Sequence, residues 1–153
     1  MIKKATIDDI ENLISLAMLS WQGKKSNDLE IDLRDYVTSN SKAAFIYFDN
    51  DLPSGFAICG LRYEYIKGTK SSPIGYLEGI YVIPKYRRLG IGTNLLLNCE
   101  NWARNLGCIE FASQCEITDM ESHNFHINSG FQETNRNICF GKNISLFPLD
   151  TTF

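Results

Sequence analysis

The stretch Tyr86–Thr93 reads YRRLGIGT, and it lies between a strand-like run, YLEGIYVIP at 76–84, and a helix-like run, LLLNCENWA at 95–103. A strand that passes directly into a helix leaves the backbone N–H groups of the first helical turn without partners, and these groups attract anions. Gly90 and Gly92 lack the Cβ atoms that would keep an anion away from the backbone, and Arg87 and Arg88 add positive charge. The stretch therefore predicts a phosphate or pyrophosphate site, although alternating glycines also occur in ordinary tight turns.

Two common phosphate-binding patterns do not fit this loop. The Walker pattern GxxxxGK[ST] is absent, and the dinucleotide pattern GxGxxG fails because Leu95 occupies the third glycine position. The loop must therefore serve another phosphate carrier.

The composition indicates one globular domain over residues 1–153. Apolar residues make up 44% and charged residues 22% of the chain, which is close to the average for globular proteins. The net charge of −3 argues against a nucleic-acid partner, since such binding needs a basic face, and it suits a cationic substrate.

The five cysteines are an odd number without a CxxC pair, so they suggest neither a disulfide framework nor a metal site. Buried thiols in a reducing cytosol are the simpler interpretation. The opening MIKKATIDDI has no signal-peptide pattern, and no apolar run reaches the roughly 18 residues of a membrane span. We therefore expect a cytoplasmic protein without a membrane partner.

The chain alternates between strand and helix patterns in an order typical of a mixed α+β fold. A strand at Ile2–Ala5, with a capping box formed by Thr6 and Asp9, precedes two helices that end near Trp21 and Val37. The runs AAFIYF, FAICGLRYEYI and GYLEGIYVI predict an antiparallel meander. A helix at 92–105, a fifth strand CIEFAS, a helix at 119–128 and a closing strand RNICFGK complete the pattern. These elements predict a mixed sheet, antiparallel in its first half, flanked by about four helices and containing a strand–helix–strand crossover.

Arg87, Gly90 and Gly92 match the R/QxxGxG/A signature, and the chain resembles the GNAT superfamily of N-acetyltransferases on this basis. The preceding strand ends in the VxP pattern of that superfamily, and the terminal SGF at 129–131 also agrees. The resemblance implies acetyl-CoA as cosubstrate and no metal. It also implies that the backbone of Arg88, Leu89, Gly90, Ile91, Gly92 and Thr93 holds the pyrophosphate, that Ile80, Tyr81 and Val82 pair with the pantetheine arm, and that Asp119 occupies a cofactor-contacting position.

Within this superfamily the chain looks like the aminoglycoside 6'-N-acetyltransferases. The segment RYEYIKGTKSSPIGYLEGIYVIPKYRRLGIG and the segment ASQCEITDMESHNFHINSGFQE at 112–133 carry the similarity, together with an early tryptophan. By this resemblance Trp21, Tyr65 and Glu78 line the substrate pocket. Glu78 is then the candidate base, and His126 stands where many relatives have a tyrosine that protonates the leaving thiolate.

The sequence departs from this family at several substrate positions. Gln114 replaces an aspartate, Asn135 replaces an acidic residue, and Lys24 stands where some relatives carry a histidine near the substrate. Each lost contact with a substrate ammonium costs on the order of 1–3 kcal/mol in a partly buried pocket. These changes keep open a second hypothesis, in which the acceptor is a metabolite amine such as a polyamine, or a protein amine.

The residues themselves allow less specific interpretations. Glu78 can be the partner of an internal arginine, His123 and His126 can be hydrogen-bonded residues of a helix face, and Trp21 and Tyr65 can simply pack. A chain that binds coenzyme A without catalysis is a third possibility. The resemblance also implies a homodimer, in which the apolar tail ISLFPLDTTF at 144–153 covers a partner or folds back on its own sheet.

Overall fold

The computed structural model describes residues 1–21, 23 and 25–146, which form a single mixed sheet with helices on both faces. The strands lie in the order of the chain: β1 (Ile2–Lys4), β2 (Lys42–Asp49), β3 (Leu52–Arg62), β4 (Ile74–Val82) and β5 (Phe111–Ala112). The first three pairings are antiparallel and the pairing of β4 with β5 is parallel. The helices are α1 (Ile10–Ser20), α2 (Ser26–Thr38), α3 (Ile91–Asn105) and α4 (Met120–Asn128). The predicted α+β fold class is confirmed.

Alternation along the central strands divides the core into two layers. Ala44, Ile46, Phe56 and Ile58 point to the face that α1 and α2 cover, while their neighbours Ala43, Phe45, Ala57 and Cys59 point to the face under α3. Successive residues of a strand face opposite sides of the sheet, so each strand supplies both layers. The helical spacing of the apolar residues in α1 and α3 fits them to these faces.

The short 3-10 turn Ile7–Asp9, which leads into α1, is fixed by the predicted capping interaction. Asp9 is buried, and its Oδ2 accepts a hydrogen bond of 2.9 Å from the backbone N–H of Thr6 and lies 3.0 Å from Lys3 Nζ. Burial opposes the charge, but the Thr6 hydrogen bond and the Lys3 ammonium together hold the pKa of Asp9 below its usual value.

Three of the strand predictions need correction. The second meander strand ends at Arg62 and does not run on to Ile66, because residue 62 is the last to pair with β4. The fifth strand contains only Phe111 and Ala112. The predicted closing strand RNICFGK at 136–142 is wrong for the described single chain, where the backbone of this segment forms no strand and Phe140 is 93% exposed. A strand must pair with the edge of a neighbouring strand, and β5 contains only two residues with which a further strand could pair.

Within the described part of the chain, no helix combines the length and the apolar character needed to cross a bilayer.

Candidate active site

The loop between β4 and α3 presents an uncapped helix N-terminus. Arg88 and Gly90 both adopt left-handed conformations, with φ of 64° and 81°, and α3 begins directly after Gly90. The first helical hydrogen bond runs from the N–H of Asn94 to the carbonyl of Gly90, at 3.0 Å. Among the described residues, the N–H groups of 88–93 have no acceptor. Such a concave set of free N–H groups at a helix N-terminus is suited to a pyrophosphate.

Arg87 holds this loop through contacts with β4 and α4. Its Nε donates a hydrogen bond of 2.8 Å to the carbonyl of Val82 at the end of β4, and its guanidinium lies 5.4 Å from the centre of the Tyr81 ring. Its Nη1 also lies 3.5 Å from Glu121 in α4. Arg87 therefore connects β4, the loop and α4, a role beyond the rim charge that the sequence pattern suggests.

Gly92 has a packing role that the sequence pattern does not reveal. A Cβ at this position would lie 3.2 Å from the ring of Phe125 in α4. Gly92 thus permits close contact between α3 and α4, whereas Gly90 is required by its backbone conformation.

One edge of β4 is open next to the loop. The strand pairs with β3 along its whole length, but β5 pairs only with Gly75 and Tyr76. Beyond Tyr76 the edge faces no strand among the described residues, and Ile80, Tyr81 and Val82 lie on this open part. The structure therefore has an available strand edge where the resemblance predicts the pantetheine arm.

Glu78 is the extra residue of a β-bulge. Cys59 of β3 pairs with Leu77 and the next residue back, Ile58, pairs with Gly79, so that Glu78 has no partner across the strands. Bulges redirect side chains and are frequent next to active sites. The side chain of Glu78 is 23% exposed.

Arg62 at the end of β3 holds one oxygen of Glu78. Its Nε and Nη2 donate hydrogen bonds of 2.9 and 2.7 Å, both to Oε1, and its guanidinium lies 4.1 Å from the centre of the Tyr76 ring. Burial works against the charge of Arg62, but the contact with Glu78 raises its pKa above the usual value. Glu78 is thus paired with an arginine, which is the less specific interpretation that the sequence allows. Its Oε2 has no hydrogen-bond donor among the described residues and remains available.

Tyr36 in α2 belongs to the same electrostatic environment. Burial raises the pKa of Tyr36 to about 12, and the negative charge of Glu78 contributes to this rise. The helical spacing of α2 marks Tyr36 only as a core residue, so the sequence contains no signal for its proximity to Glu78.

Trp21 lies beside this site. Its ring packs edge-on against Phe56 at 5.7 Å, and a Cβ added to Gly79 would lie 2.8 Å from it. Trp21 therefore contacts the strand at the residue after Glu78, which brings together two of the three predicted pocket residues. Tyr65 is 76% exposed in the loop after β3, so its pocket role stays a prediction.

Three other predicted substrate and cofactor residues follow β5 in the chain. Gln114 is exposed after β5, and Asn135 contacts Thr134 and Asn137 through its side chain. Asp119 caps α4 by accepting a hydrogen bond of 3.0 Å from the N–H of Ser122. Lys24 lies outside the described residues.

His126 in α4 makes two short hydrogen bonds through its ring, and a third contact of 3.5 Å joins its Nδ1 to the hydroxyl of Ser122. Its Nδ1 lies 2.7 Å from the carbonyl oxygen of Ser122, and its Nε2 lies 2.8 Å from the hydroxyl of Ser113 after β5. Ser113 belongs to the segment 112–133 that carries the resemblance, but its contact with His126 becomes evident only when β5 and α4 meet. His123 instead approaches Glu133, at 3.5 Å.

The cysteines and other ligand-type side chains form no metal site among the described residues. Cys59, Cys99 and Cys108 are buried as expected, whereas Cys115 and Cys139 are exposed. A shallow cavity of about 430 Å³ lies between Tyr47 and Asn98 on the α3 side, and it does not include Glu78. Glu78 is the candidate centre of the site because its free carboxylate oxygen belongs to β4, the strand whose open edge leads to the anion loop.

A strand edge that leads into a glycine loop, with a carboxylate at a bulge in the same strand, is the arrangement expected of a coenzyme A-dependent N-acetyltransferase. The chain belongs to the acetyltransferase (GNAT) family, whose model matches residues 9–131. It is therefore an enzyme that takes its acetyl group from acetyl-CoA.

Several characterised relatives are similar over most of their length. The chain is 39% identical to an aminoglycoside N(6')-acetyltransferase type 1 of Acinetobacter genomosp. 13, over 86% of this chain and 90% of the relative. It is 36% identical to the enzyme of the same name from Acinetobacter baumannii, over 88% and 92%. The structure of AAC(6')-Iy in complex with the bisubstrate analogue CoA-S-monomethyl-acetylneamine superimposes with a TM-score of 0.89, at 30% identity over 94% and 97% of the two chains.

Proposed function

We propose that this chain is an aminoglycoside 6'-N-acetyltransferase, in which the amine attacks acetyl-CoA directly within a ternary complex. Support comes from the relatives, which are named for this activity, and from the position of Glu78. The observation that carries the proposal is that the two oxygens of the Glu78 carboxylate have different contacts. Oε1 is held by Arg62, and Oε2 is left for an incoming ammonium group.

The residues of the chain suit acetyl-CoA. The N–H groups of Arg88, Leu89, Gly90, Ile91, Gly92 and Thr93 would hold the pyrophosphate, and the open edge at Ile80, Tyr81 and Val82 would pair with the pantetheine arm. We also assign Asp119 to this side of the site, where it supports the start of α4. When bound, the cosubstrate supplies an activated thioester.

The ammonium must lose a proton before attack, since its nitrogen has no lone pair. In the proposed mechanism Glu78 attracts the ammonium through Oε2 and takes this proton directly or through water. A backbone N–H near Ile80 stabilises the oxyanion, and His126 supplies the proton for the leaving thiolate. Trp21, Tyr65, Gln114, Asn135 and Lys24 are the remaining proposed substrate residues.

Thiol release tests the proposal. Purified protein with acetyl-CoA should release free coenzyme A with kanamycin or tobramycin, and not with aminoglycosides that lack a 6'-amine. Glu78→Gln should lower kcat by roughly 10²- to 10⁴-fold while the Kd of acetyl-CoA stays unchanged. Glu64→Gln is the matched control, because Glu64 also contacts Arg62, at 3.2 Å, but is exposed. Acetyl-CoA binding without drug-dependent thiol release would refute the drug as acceptor.

A second acceptor class follows from the neutral residues Gln114 and Asn135, which weaken attraction for a polycationic drug. The alternative acceptor is a metabolite amine such as a polyamine, or a protein amine. Gln114→Asp separates the two hypotheses: it should raise kcat/KM for the aminoglycoside by about tenfold, equivalent to ~1.4 kcal/mol, if the drug is the natural substrate. A gain only with polyamines would favour the alternative.

We also propose that the enzyme is a homodimer that works in the cytoplasm, where acetyl-CoA is available. Support for the dimer comes from residues 132–146, named here the C-terminal segment. It exposes Ile138, Phe140, Ile144 and Leu146, and none of these is packed into the described single chain. A second copy of the chain is the partner that would cover them.

A further inference from the structure

Ser113 lies at the point where β4 and β5 separate. The last paired residues of the two strands are Tyr76 and Ala112, and Ser113 is the next residue after β5. Its hydroxyl is 3.5 Å from the carbonyl oxygen of Leu77, the neighbour of Glu78. Ser113 is half-buried, so its hydroxyl borders the opening between the strands.

His126 reaches Ser113 from α4. Its ring lies between Phe125 and Phe131, with ring centres 5.8 and 5.1 Å away, and these aromatic contacts hold its plane. The 2.8 Å contact with Ser113 Oγ then directs Nε2 toward the same opening.

The partners of the two ring nitrogens determine where the hydrogens are. A carbonyl oxygen only accepts hydrogen bonds, so the 2.7 Å contact with Ser122 requires a hydrogen on Nδ1. A neutral imidazole has one N–H, so Nε2 must then accept the hydrogen of the Ser113 hydroxyl. When the ring takes up a second proton, Nε2 becomes a donor, and the Ser113 hydroxyl is then free to donate to another acceptor, such as the Leu77 carbonyl oxygen at 3.5 Å or a bound ligand.

We propose that Ser113 is a catalytic residue that transfers the proton of His126 to the leaving thiolate of coenzyme A. The inference rests on the proposed acetyl transfer. As the new C–N bond forms and the C–S bond breaks, the sulfur takes the hydrogen of Ser113 Oγ while Oγ takes the hydrogen of Nε2. The ring becomes neutral and is reprotonated from solvent. The ammonium nitrogen loses one proton before attack and a second after the C–N bond forms, and both leave through Glu78 and water.

Nuclear magnetic resonance of the ligand-free protein tests the hydrogen-bond arrangement without any turnover. The chain has only two histidines, so the spectrum of a His126→Asn variant assigns the signals. We expect the neutral His126 ring to carry its hydrogen on Nδ1. The nitrogen signal of Nε2 should move in Ser113→Ala, as expected for the loss of a hydrogen-bond donor, and stay in place in Ser113→Thr.

Kinetics test the conduction of the proton. Ser113→Ala should lower kcat by about 100-fold, at the lower end of the range of general acid catalysis, with the KM for acetyl-CoA unchanged. Ser113→Thr should restore most of the loss because it keeps the hydroxyl. The matched control is Ser39→Ala, since Ser39 contacts only the nearby Ser41 through its hydroxyl, at 3.0 Å.

Two results would overturn the inference: a neutral ring with its hydrogen on Nε2, or a Ser113→Ala variant with the same kcat as Ser39→Ala. A wild-type protein that acetylates only amines other than aminoglycosides refutes the proposed drug substrate, and the same Ser113 variants are then compared with that acceptor.

Discussion

Glu78 lies at the centre of a group of side chains whose charges act on one another. Arg62 binds one of its oxygens, Tyr76 lies under the guanidinium, and Tyr36 responds to the carboxylate through space. A partly buried carboxylate without a cation is costly, and Arg62 offsets this cost before any substrate arrives. Arg62 contacts only one of the two oxygens, so the ion pair stabilises the site without occupying all of it.

The pKa of Tyr36 responds to the negative charge of Glu78. Its pKa of about 12 reflects burial first and the negative charge of Glu78 second. Removing that charge in Glu78→Gln should lower the pKa of Tyr36, because the phenolate is then no longer repelled. Asp32→Asn should lower it less, since Asp32 contributes more weakly. The Cζ resonance of Tyr36 followed against pH gives the value. An unchanged pKa in Glu78→Gln would show that the two side chains do not interact.

At the scale of elements, the parts predicted well are those specified locally. The loop Tyr86–Thr93 and α3 follow from nearby glycines and from apolar residues at helical spacing, and the structure has both. The bulge at Glu78, the Arg62 contact and the pair of Ser113 and His126 are not predictable this way. They join residues that are far apart in sequence, and only the sheet register and the packing of α4 bring them together.

The closing strand at 136–142 is predicted from its local pattern, but the described backbone of this segment forms no strand. RNICFGK has the alternation of a strand, but pattern alone does not supply the edge with which it must pair. The structure offers only Phe111 and Ala112 at that side of the sheet.

The two ends of α3 provide a matched test of the anion loop. Gly90 precedes the helix and Gly107 follows it; both have left-handed backbones, with φ of 81° and 93°, and both have open space where a Cβ would lie. Replacing either with alanine should lower the free energy of unfolding by about 1–2 kcal/mol, the cost of a left-handed L-residue. Only Gly90→Ala should also weaken acetyl-CoA binding, by about tenfold or ~1.4 kcal/mol, because it disturbs the N–H groups of 88–93.

Denaturant unfolding and calorimetry give the two quantities for each variant. Equal acetyl-CoA affinity in Gly90→Ala and Gly107→Ala would mean that the loop does not hold the pyrophosphate.

At the scale of the whole molecule, the described chain has a compact part, residues 1–131, and an exposed C-terminal segment. The compact part has its own two-layer core, and the family model ends at the same residue. Along the C-terminal segment, Ile138 and Phe140 lie two residues apart, so in an extended backbone they face the same side. An apolar stripe of this kind is costly in water and is typical of a surface that another chain covers.

The proposed dimer makes a specific prediction for this stripe. Light scattering after size exclusion should give a mass near twice 17.4 kDa for the unmodified protein. A double variant, Ile138→Asp and Phe140→Asp, should give a monomer, because burying two carboxylates without partners costs more than the apolar contact supplies. Ile31→Asp is the control, since Ile31 is also exposed but lies on the outer face of α2. A monomeric unmodified protein at micromolar concentration would contradict the dimer, and so would a double variant that remains dimeric. Because Asn135 belongs to the same segment, the double variant should also raise the KM for the amine more than the KM for acetyl-CoA.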